Sequence, residues 1–245
     1  MTAAEPRTAR GSATKARILE AAESVFARLG YTGASIVRIT EEAGVGQGTF
    51  YLYFDSKLAV FEEVVDDLNR RVRHSMSEAA ARGSTRIEAE RLGFQGFFEF
   101  TAAHPALYRI VREAEFVSPR ALRRHYTRIV EGYTDGLERA KAAGEIAADP
   151  TVAAWMLLGI GEMIGMRWVL WGDRATGQDG PLAGVTGAVP PAVFDEMMRF
   201  IRAGLGSGAA PGGVAADTRS ADTNSGTSSG TSPDTSSTDT EEGPQ

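Results

Sequence analysis

The chain has 245 residues, of which 42% are hydrophobic and 24% charged, proportions that are ordinary for a globular protein. It contains no cysteine, which excludes disulfides, thiolate metal sites and a cysteine nucleophile. The formal net charge is −6, and residues 207–245 carry most of it with six acids and one base. The remainder is close to neutral, so a nonspecific nucleic-acid binder with a broadly basic surface is not expected.

Residues 1–12 are polar and predict a flexible N-terminal arm, and no apolar run that would indicate a signal peptide follows them. The segment 13–56 opens with apolar residues at helical spacing: Ile18, Ala22, Val25 and Leu29. Gly30 predicts the end of this first helix, because glycine commonly terminates helices.

Two short helices are predicted next. Ile36, Ile39 and Ala43 give the first an apolar stripe, residues 44–46 (Gly-Val-Gly) form a tight turn, and the second begins near Gln47. Two short helices joined by a glycine turn behind a longer helix form a helix-turn-helix, which places its second helix in the major groove of DNA.

Eight residues of this unit are predicted to face DNA: Ser35, Arg38, Gln47, Gly48, Thr49, Tyr51, Tyr53 and Lys57. Gln47 either pairs with adenine or faces solvent, and Thr49 suits a phosphate or a thymine methyl group. The two tyrosine hydroxyls and the Lys57 amine can reach phosphates, and Arg38 either does the same or is solvated. Ser35 is expected to cap its helix and direct that helix's N-terminus at the DNA backbone. Phe50 and Phe54 are predicted to be core residues.

A recurring pattern runs through this unit with unbroken spacing: Gly30, Tyr31, Ser35, Ile36, Ile39, Ala43, Gly44, Val45, Gly48, Thr49, Phe50, Tyr51, Tyr53, Phe54, Ser56 and Lys57. In this pattern the chain closely resembles the DNA-binding domain of TetR-family repressors. The resemblance implies an all-α fold of about nine helices, with a long fourth helix from about Lys57 to Arg82. It also implies a homodimer formed by the last two long helices, and a small-molecule pocket within the domain of residues 57–206.

Further helices are predicted from their start and stop signals. Proline at the first helical position follows His104, Ser118 and Asp149, and Thr85 with Glu88 forms a capping box. Gly144 predicts the end of one helix, residues 172–189 a long loop, and Pro190-Pro191 the start of the last helix. The most apolar run, 152–170, contains Glu162 and Arg167, which favours a buried helix over a membrane span.

Large side chains are frequent behind the helix-turn-helix, where they form either core or a binding pocket. The residues predicted for the pocket are Phe94, Phe97, Phe98, Tyr108, Arg112, Phe116, Trp155 and Met163. One or two of four charged residues after Pro105 are expected to hold a polar ligand end, unless this face is solvated: Arg109, Arg112, Glu113 and Glu115. The glycines at 159, 161 and 165 predict close helix packing, at the dimer interface, against the pocket or within the core of one subunit.

No metal site, catalytic residue or cofactor is predicted, because the three histidines have neither metal-ligand spacing nor a nucleophile partner. Residues 207–245 are acidic, rich in Ser, Thr and Gly, and predicted to be disordered. The sequence thus predicts a cytoplasmic, homodimeric repressor that a small-molecule effector releases from a palindromic double-stranded DNA operator. Two alternatives remain: an activator or ligand-independent regulator of the same fold, and a ligand-binding or enzyme domain whose helix-turn-helix is vestigial.

Overall fold

A computed structural model describes residues 8–171 and 188–206, all within the first of the two units into which the chain divides, residues 1–210. Within these ranges there are nine α-helices: α1 (Ala9–Gly33), α2 (Ile36–Ala43), α3 (Gln47–Tyr51), α4 (Lys57–Ala80), α5 (Arg86–Ala103), α6 (Ala106–Val117), α7 (Pro119–Ala142), α8 (Pro150–Ile164) and α9 (Pro191–Leu205). A π-helical stretch, Gly165–Leu170, continues α8. The all-α prediction is confirmed, while most of the predicted loop at 172–189 and the whole predicted tail lie outside the described residues.

The first helix begins earlier than predicted. The side chain of Thr8 accepts a hydrogen bond from the backbone N–H of Gly11 at 3.1 Å, so α1 starts at Ala9. The prediction of a flexible arm as far as residue 12 is therefore wrong for residues 9–12, because this local cap extends the helix. At its other end α1 breaks at Gly30, as predicted, where φ is +68° and ψ is 172°, a conformation that only glycine adopts readily.

The helix-turn-helix forms where the sequence predicts it. Ser35 caps α2 by accepting a hydrogen bond from the backbone N–H of Arg38 at 3.2 Å, and Gly44 ends α2 with φ at +63°. The second short helix, α3, begins at Gln47. Phe50 and Phe54 are fully buried, which confirms that both are core residues.

Most of the predicted helix boundaries are confirmed. Ser118 and Asp149 cap α7 and α8, each with proline as the first helical residue. Thr85 caps α5 through the backbone N–H of Glu88. Pro105 occupies the cap position of α6 and not its first turn, so that prediction is wrong by one residue.

Two clusters of buried side chains hold the fold together. The first joins α1, α2, α3, α4 and α6, together with the start of α7, and includes aromatic contacts of Phe61 with Phe26 and Tyr31 at centroid distances of 5.2 and 5.1 Å. The second joins α5, α7, α8 and α9. The core of the helix-turn-helix thus continues into α4 and α6 without a break, and the domain boundary predicted at residue 56 marks only the start of α4.

The helix Pro150–Leu170 is the one described segment long and apolar enough to cross a membrane, judged by length and composition alone. About 33% of its most apolar window is buried. One face, with Ala154, Leu157 and Gly161, packs inside the protein, whereas Trp155 and Met163 lie exposed on the other. The prediction of a buried helix therefore holds for one face only.

Candidate DNA interface and internal cavity

Four of the predicted DNA-contacting residues come together on α3. Gln47 and Gly48 at its start are exposed, and Thr49 is half-buried. Tyr51 is 52% exposed, and its ring rests edge-on against Phe50 at a centroid distance of 5.5 Å, which leaves the hydroxyl free to reach a phosphate. The start of α3 thus presents an exposed surface of the kind that a recognition helix offers to base edges.

The remaining predicted DNA contacts lie around α3. Arg38 is exposed on α2, Ser35 caps that helix, and Tyr53 is half-buried against the first core. Lys57 is engaged within the protein: its amine donates hydrogen bonds to the carbonyl oxygens of Tyr31 and Ala34 at 2.8 and 2.9 Å. Lys57 thus joins α4 to the end of α1, and its contact with a phosphate stays a prediction.

A bidentate ion pair fixes α1 against α2. The guanidinium of Arg28 donates to both carboxylate oxygens of Glu42, at 3.0 and 2.5 Å. These bonds lower the pKa of Glu42 to about 2, because they favour the charged carboxylate. This pair orients the helix-turn-helix on the helix behind it.

Two charged side chains of α6 form hydrogen bonds with the backbone at the end of α1. Arg109 donates to the carbonyl oxygen of Ala27 at 2.8 Å, and the Glu113 carboxylate accepts from the backbone N–H of Tyr31, also at 2.8 Å. The absence of a side chain at Gly30 makes room, since a β-carbon there would overlap the Glu113 carboxylate. Both residues were candidates for holding a ligand, and the structure assigns them instead to the junction with the helix-turn-helix.

A cavity of about 50 Å³ lies among α4, α5, α6, α7 and α8. It is lined mainly by apolar and aromatic side chains: Val72, Met76, Phe94, Phe97, Tyr108, Val111, His125, Tyr126, Ile129, Tyr133, Leu157, Leu158, Gly161 and Glu162. Of the residues predicted to line a pocket, Phe94, Phe97 and Tyr108 are among them. The cavity in this conformation is smaller than the roughly 300–1,000 Å³ of most ligand pockets.

The other predicted pocket residues lie elsewhere. Phe98 is buried against Phe194, at a centroid distance of 6.2 Å, beside the cavity but not in its wall. Phe116 is 85% exposed, and Trp155 and Met163 lie on the outer face of α8. These four side chains do not line this cavity, because a helical stripe shows that side chains share a face and not which neighbour that face meets.

Arg112 also lies outside the cavity wall. Its guanidinium contacts the sulfur of Met166 at 3.0 Å, on the protein surface. The prediction that it points inward to a ligand is therefore not what the structure shows, and none of the four charged residues on α6 lines the cavity.

The polar end of the cavity is formed by residues that the sequence did not indicate. The Tyr126 hydroxyl donates to the Glu162 carboxylate at 2.6 Å, and both burial and this carboxylate raise the pKa of Tyr126. The His125 ring lies 3.2 Å from the Asn69 amide, and burial lowers the pKa of His125 to about 4, so the ring is neutral at neutral pH. The one sequence signal for this polar end is Glu162, an acid inside an apolar run, and it also argues against a membrane span.

Gly161 of α8 and Gly165 of the π-helical stretch that follows it allow the aromatic wall of the cavity to approach. A β-carbon added to Gly161 would lie 2.9 Å from Cε1 of Phe94, and one added to Gly165 would lie 3.1 Å from the Tyr108 hydroxyl. Gly159 instead lies on the outer face of α8. The close packing predicted for these glycines is thus divided between the cavity and the surface.

A model of the family described as "Bacterial regulatory proteins, tetR family" matches residues 18–64, which span α1 to the first turns of α4. The HTH-type transcriptional repressor SCO4008 of Streptomyces coelicolor is 30% identical over 181 residues, covering 69% of this chain and 88% of that protein. The chain belongs to the TetR family. It is a DNA-binding regulator of transcription.

Solved structures show the same fold for this TetR-family regulator. GusR of Salmonella enterica superposes with a TM-score of 0.64 at 21% identity, over 79% of this chain and 95% of that one. FadR of Bacillus subtilis, solved in complex with stearoyl-CoA, gives a TM-score of 0.58 at 22% identity, over 78% of this chain and 99% of that one. Within residues 8–171 and 188–206, His, Asp and Glu side chains form no group of three that could hold a metal ion.

Proposed function

We propose that this TetR-family regulator is a cytoplasmic repressor that binds a palindromic operator as a homodimer and is released by a small-molecule effector. No catalytic role is part of the proposal. The observation that carries it is the double attachment of α6. Tyr108 and Val111 of this helix line the cavity, while Arg109 and Glu113 hold the end of α1.

This arrangement gives a physical route from cavity to DNA. A molecule that enlarges the cavity must move its walls, and α6 cannot shift without pulling on the backbone of α1 near Gly30. In a dimer, a shift of α1 changes the separation of the two recognition helices, which must match one turn of DNA or a multiple of it. A coupling of about 1–3 kcal/mol would lower operator affinity about 5- to 150-fold.

The proposed dimer interface is the outer face of α8 and α9. Large apolar side chains are exposed there, with Phe200 68% exposed: Trp155, Met156, Met163 and Phe200. A groove between the two helices continues this apolar surface. An exposed face of this kind favours burial against a second copy, and a two-fold dimer would present two recognition helices to a palindrome.

The proposed effector is mainly apolar, because the cavity wall is largely apolar with one polar end at Glu162. The complex of the similar FadR protein with stearoyl-CoA supports an effector with an apolar chain. The cavity must widen to admit it, which is consistent with binding that drives a structural change.

The first experiment is selection of genomic fragments by the purified protein, followed by sequencing of the bound DNA. A palindromic site is expected, with affinity that falls steeply as salt rises because several phosphates are contacted. Tyr51→Ala should abolish this binding, whereas Phe116→Ala, an exposed aromatic residue on α6, should leave it unchanged. Diffuse binding that Tyr51→Ala does not alter would contradict the proposal and favour a vestigial helix-turn-helix. Reporter transcription that rises with the protein would favour an activator.

A further inference from the structure

A second space lies beside the cavity, in a groove between α4, α5 and α7 with a volume of about 380 Å³. Met76, Ile129 and Tyr133 line both spaces, so these side chains form the partition between them. The groove differs from the cavity in its chemistry, because charged side chains line much of it. Together the two spaces reach the size of an ordinary ligand site, whereas the cavity alone does not.

Three arginines line the groove, one from each of the surrounding helices: Arg73, Arg86 and Arg139. Arg73 and Arg139 are exposed, and neither forms an ion pair with another of the described residues. Glu90 is the one acid among the described residues that line the groove. The groove therefore carries an excess of positive charge in a protein whose net charge is negative.

The Arg86 side chain is held in place by a buried acid at the base of the groove, Glu90. Its Nε donates to the Glu90 carboxylate at 2.8 Å, and Glu90 is only 1% exposed. The Nη1 atom lies against Gly136, where a β-carbon would come within 2.5 Å of it, and 16% of the Arg86 side chain remains exposed. A guanidinium that is anchored in this way and lines the groove is well suited to bind a carboxylate or phosphate oxygen.

We propose that the groove lined by Arg73, Arg86 and Arg139 binds the anionic group of an amphipathic effector whose apolar chain enters the cavity past Met76. This inference rests on the proposed function, because it assigns the polar half of the same effector. The flexible Met76 side chain can yield to an alkyl chain with little cost. The groove then provides the volume that the cavity lacks and the charge that selects an anionic over a neutral molecule.

The test uses two probes with the same tail, decanol and decyl phosphate, titrated calorimetrically into the full-length protein. Decyl phosphate is expected to bind at least about tenfold more tightly, since charge-assisted hydrogen bonds to arginine add to the same apolar contact. The double variant Arg73→Gln/Arg139→Gln should lose this preference and keep its affinity for decanol. Arg120→Gln/Arg123→Gln, which removes the same charge from exposed positions of α7 outside the groove, should keep the preference.

The outcomes separate the inference from the proposal beneath it. Decanol binding without a preference for decyl phosphate would overturn the anionic groove and leave the apolar effector cavity intact. A preference that survives Arg73→Gln/Arg139→Gln would place the anion elsewhere and also overturn it. If neither probe binds, the cavity does not admit an alkyl chain, and both the effector site and the groove proposal fail.

Discussion

The contact between Gly30 and Glu113 can be tested by adding a single methyl group. In Gly30→Ala the new β-carbon would overlap the Glu113 carboxylate, and alanine would also have to adopt a backbone conformation that favours glycine. The carboxylate now accepts a hydrogen bond from the backbone N–H of Tyr31 at 2.8 Å, and it must then move away from this donor. Both the helix-turn-helix and the junction to α6 are strained by this one change.

The expected loss of stability has two parts. Backbone strain at such a position costs about 1–3 kcal/mol. Loss of a hydrogen bond to a charged acceptor costs about 1.5–3 kcal/mol more. Gly30→Ala should therefore lower the free energy of unfolding by about 2.5–6 kcal/mol. When Glu113→Ala has already removed the carboxylate, Gly30→Ala should cost only the backbone strain of about 1–3 kcal/mol.

The assay is a double-mutant cycle by urea unfolding at one fixed protein concentration, because a dimer's stability depends on concentration. The two changes should be coupled by about 1.5–3 kcal/mol. Gly44→Ala is the matched control: φ is also positive at Gly44, but no atom lies within 4 Å of the added β-carbon. It should cost about 1–2 kcal/mol and add independently to Glu113→Ala. If Gly30→Ala and Glu113→Ala are additive within about 0.5 kcal/mol, the Glu113 carboxylate does not hold α6 to α1 at this point.

Three further predictions concern the DNA surface, the dimer and pH. Tyr51→Phe should weaken operator binding about tenfold or more, because a hydrogen bond to a phosphate is lost, while the free energy of unfolding changes by less than about 0.5 kcal/mol. Unchanged affinity in a binding titration would show that this hydroxyl does not contact DNA. Phe200→Glu should give a monomer by sedimentation velocity, and a persistent dimer would show that the α8–α9 face is not the interface. The pKa of Glu42 is lowered from 4.5 to about 2, so its contribution to stability is present above pH 4.5 and lost as pH falls towards 2. Glu42→Gln should therefore show a shallower loss of stability over this range in acid unfolding, and parallel curves would contradict that sign.

The sequence predicted the fold well where the signal was local. The caps at Ser35 and Ser118, the break at Gly30 and the start of α3 at Gln47 each depend on residues within one turn of the chain. Such signals act through the hydrogen bonds of the nearest backbone groups, so a single sequence contains them.

The cavity was predicted only in part because its wall is made by contacts between distant helices. Aromatic content indicated Phe94 and Tyr108, which line the cavity, and equally Phe116, which is exposed. The partner of a side chain depends on helix packing, which no local pattern states. For the same reason the sequence did not indicate that the Lys57 amine donates hydrogen bonds to carbonyl oxygens more than 20 residues away along the chain.

Gly161 of α8 and Gly165 of the π-helical stretch have a consequence for how this regulator could evolve. The absence of side chains at these two positions leaves room for the cavity wall. A β-carbon at Gly161 would press on Phe94, and one at Gly165 would press on the Tyr108 hydroxyl. A single nucleotide change from glycine to alanine would narrow the space without touching the recognition helix. Ligand preference can therefore change between related proteins while the operator sequence stays the same. One operator can in this way come under the control of a different small molecule.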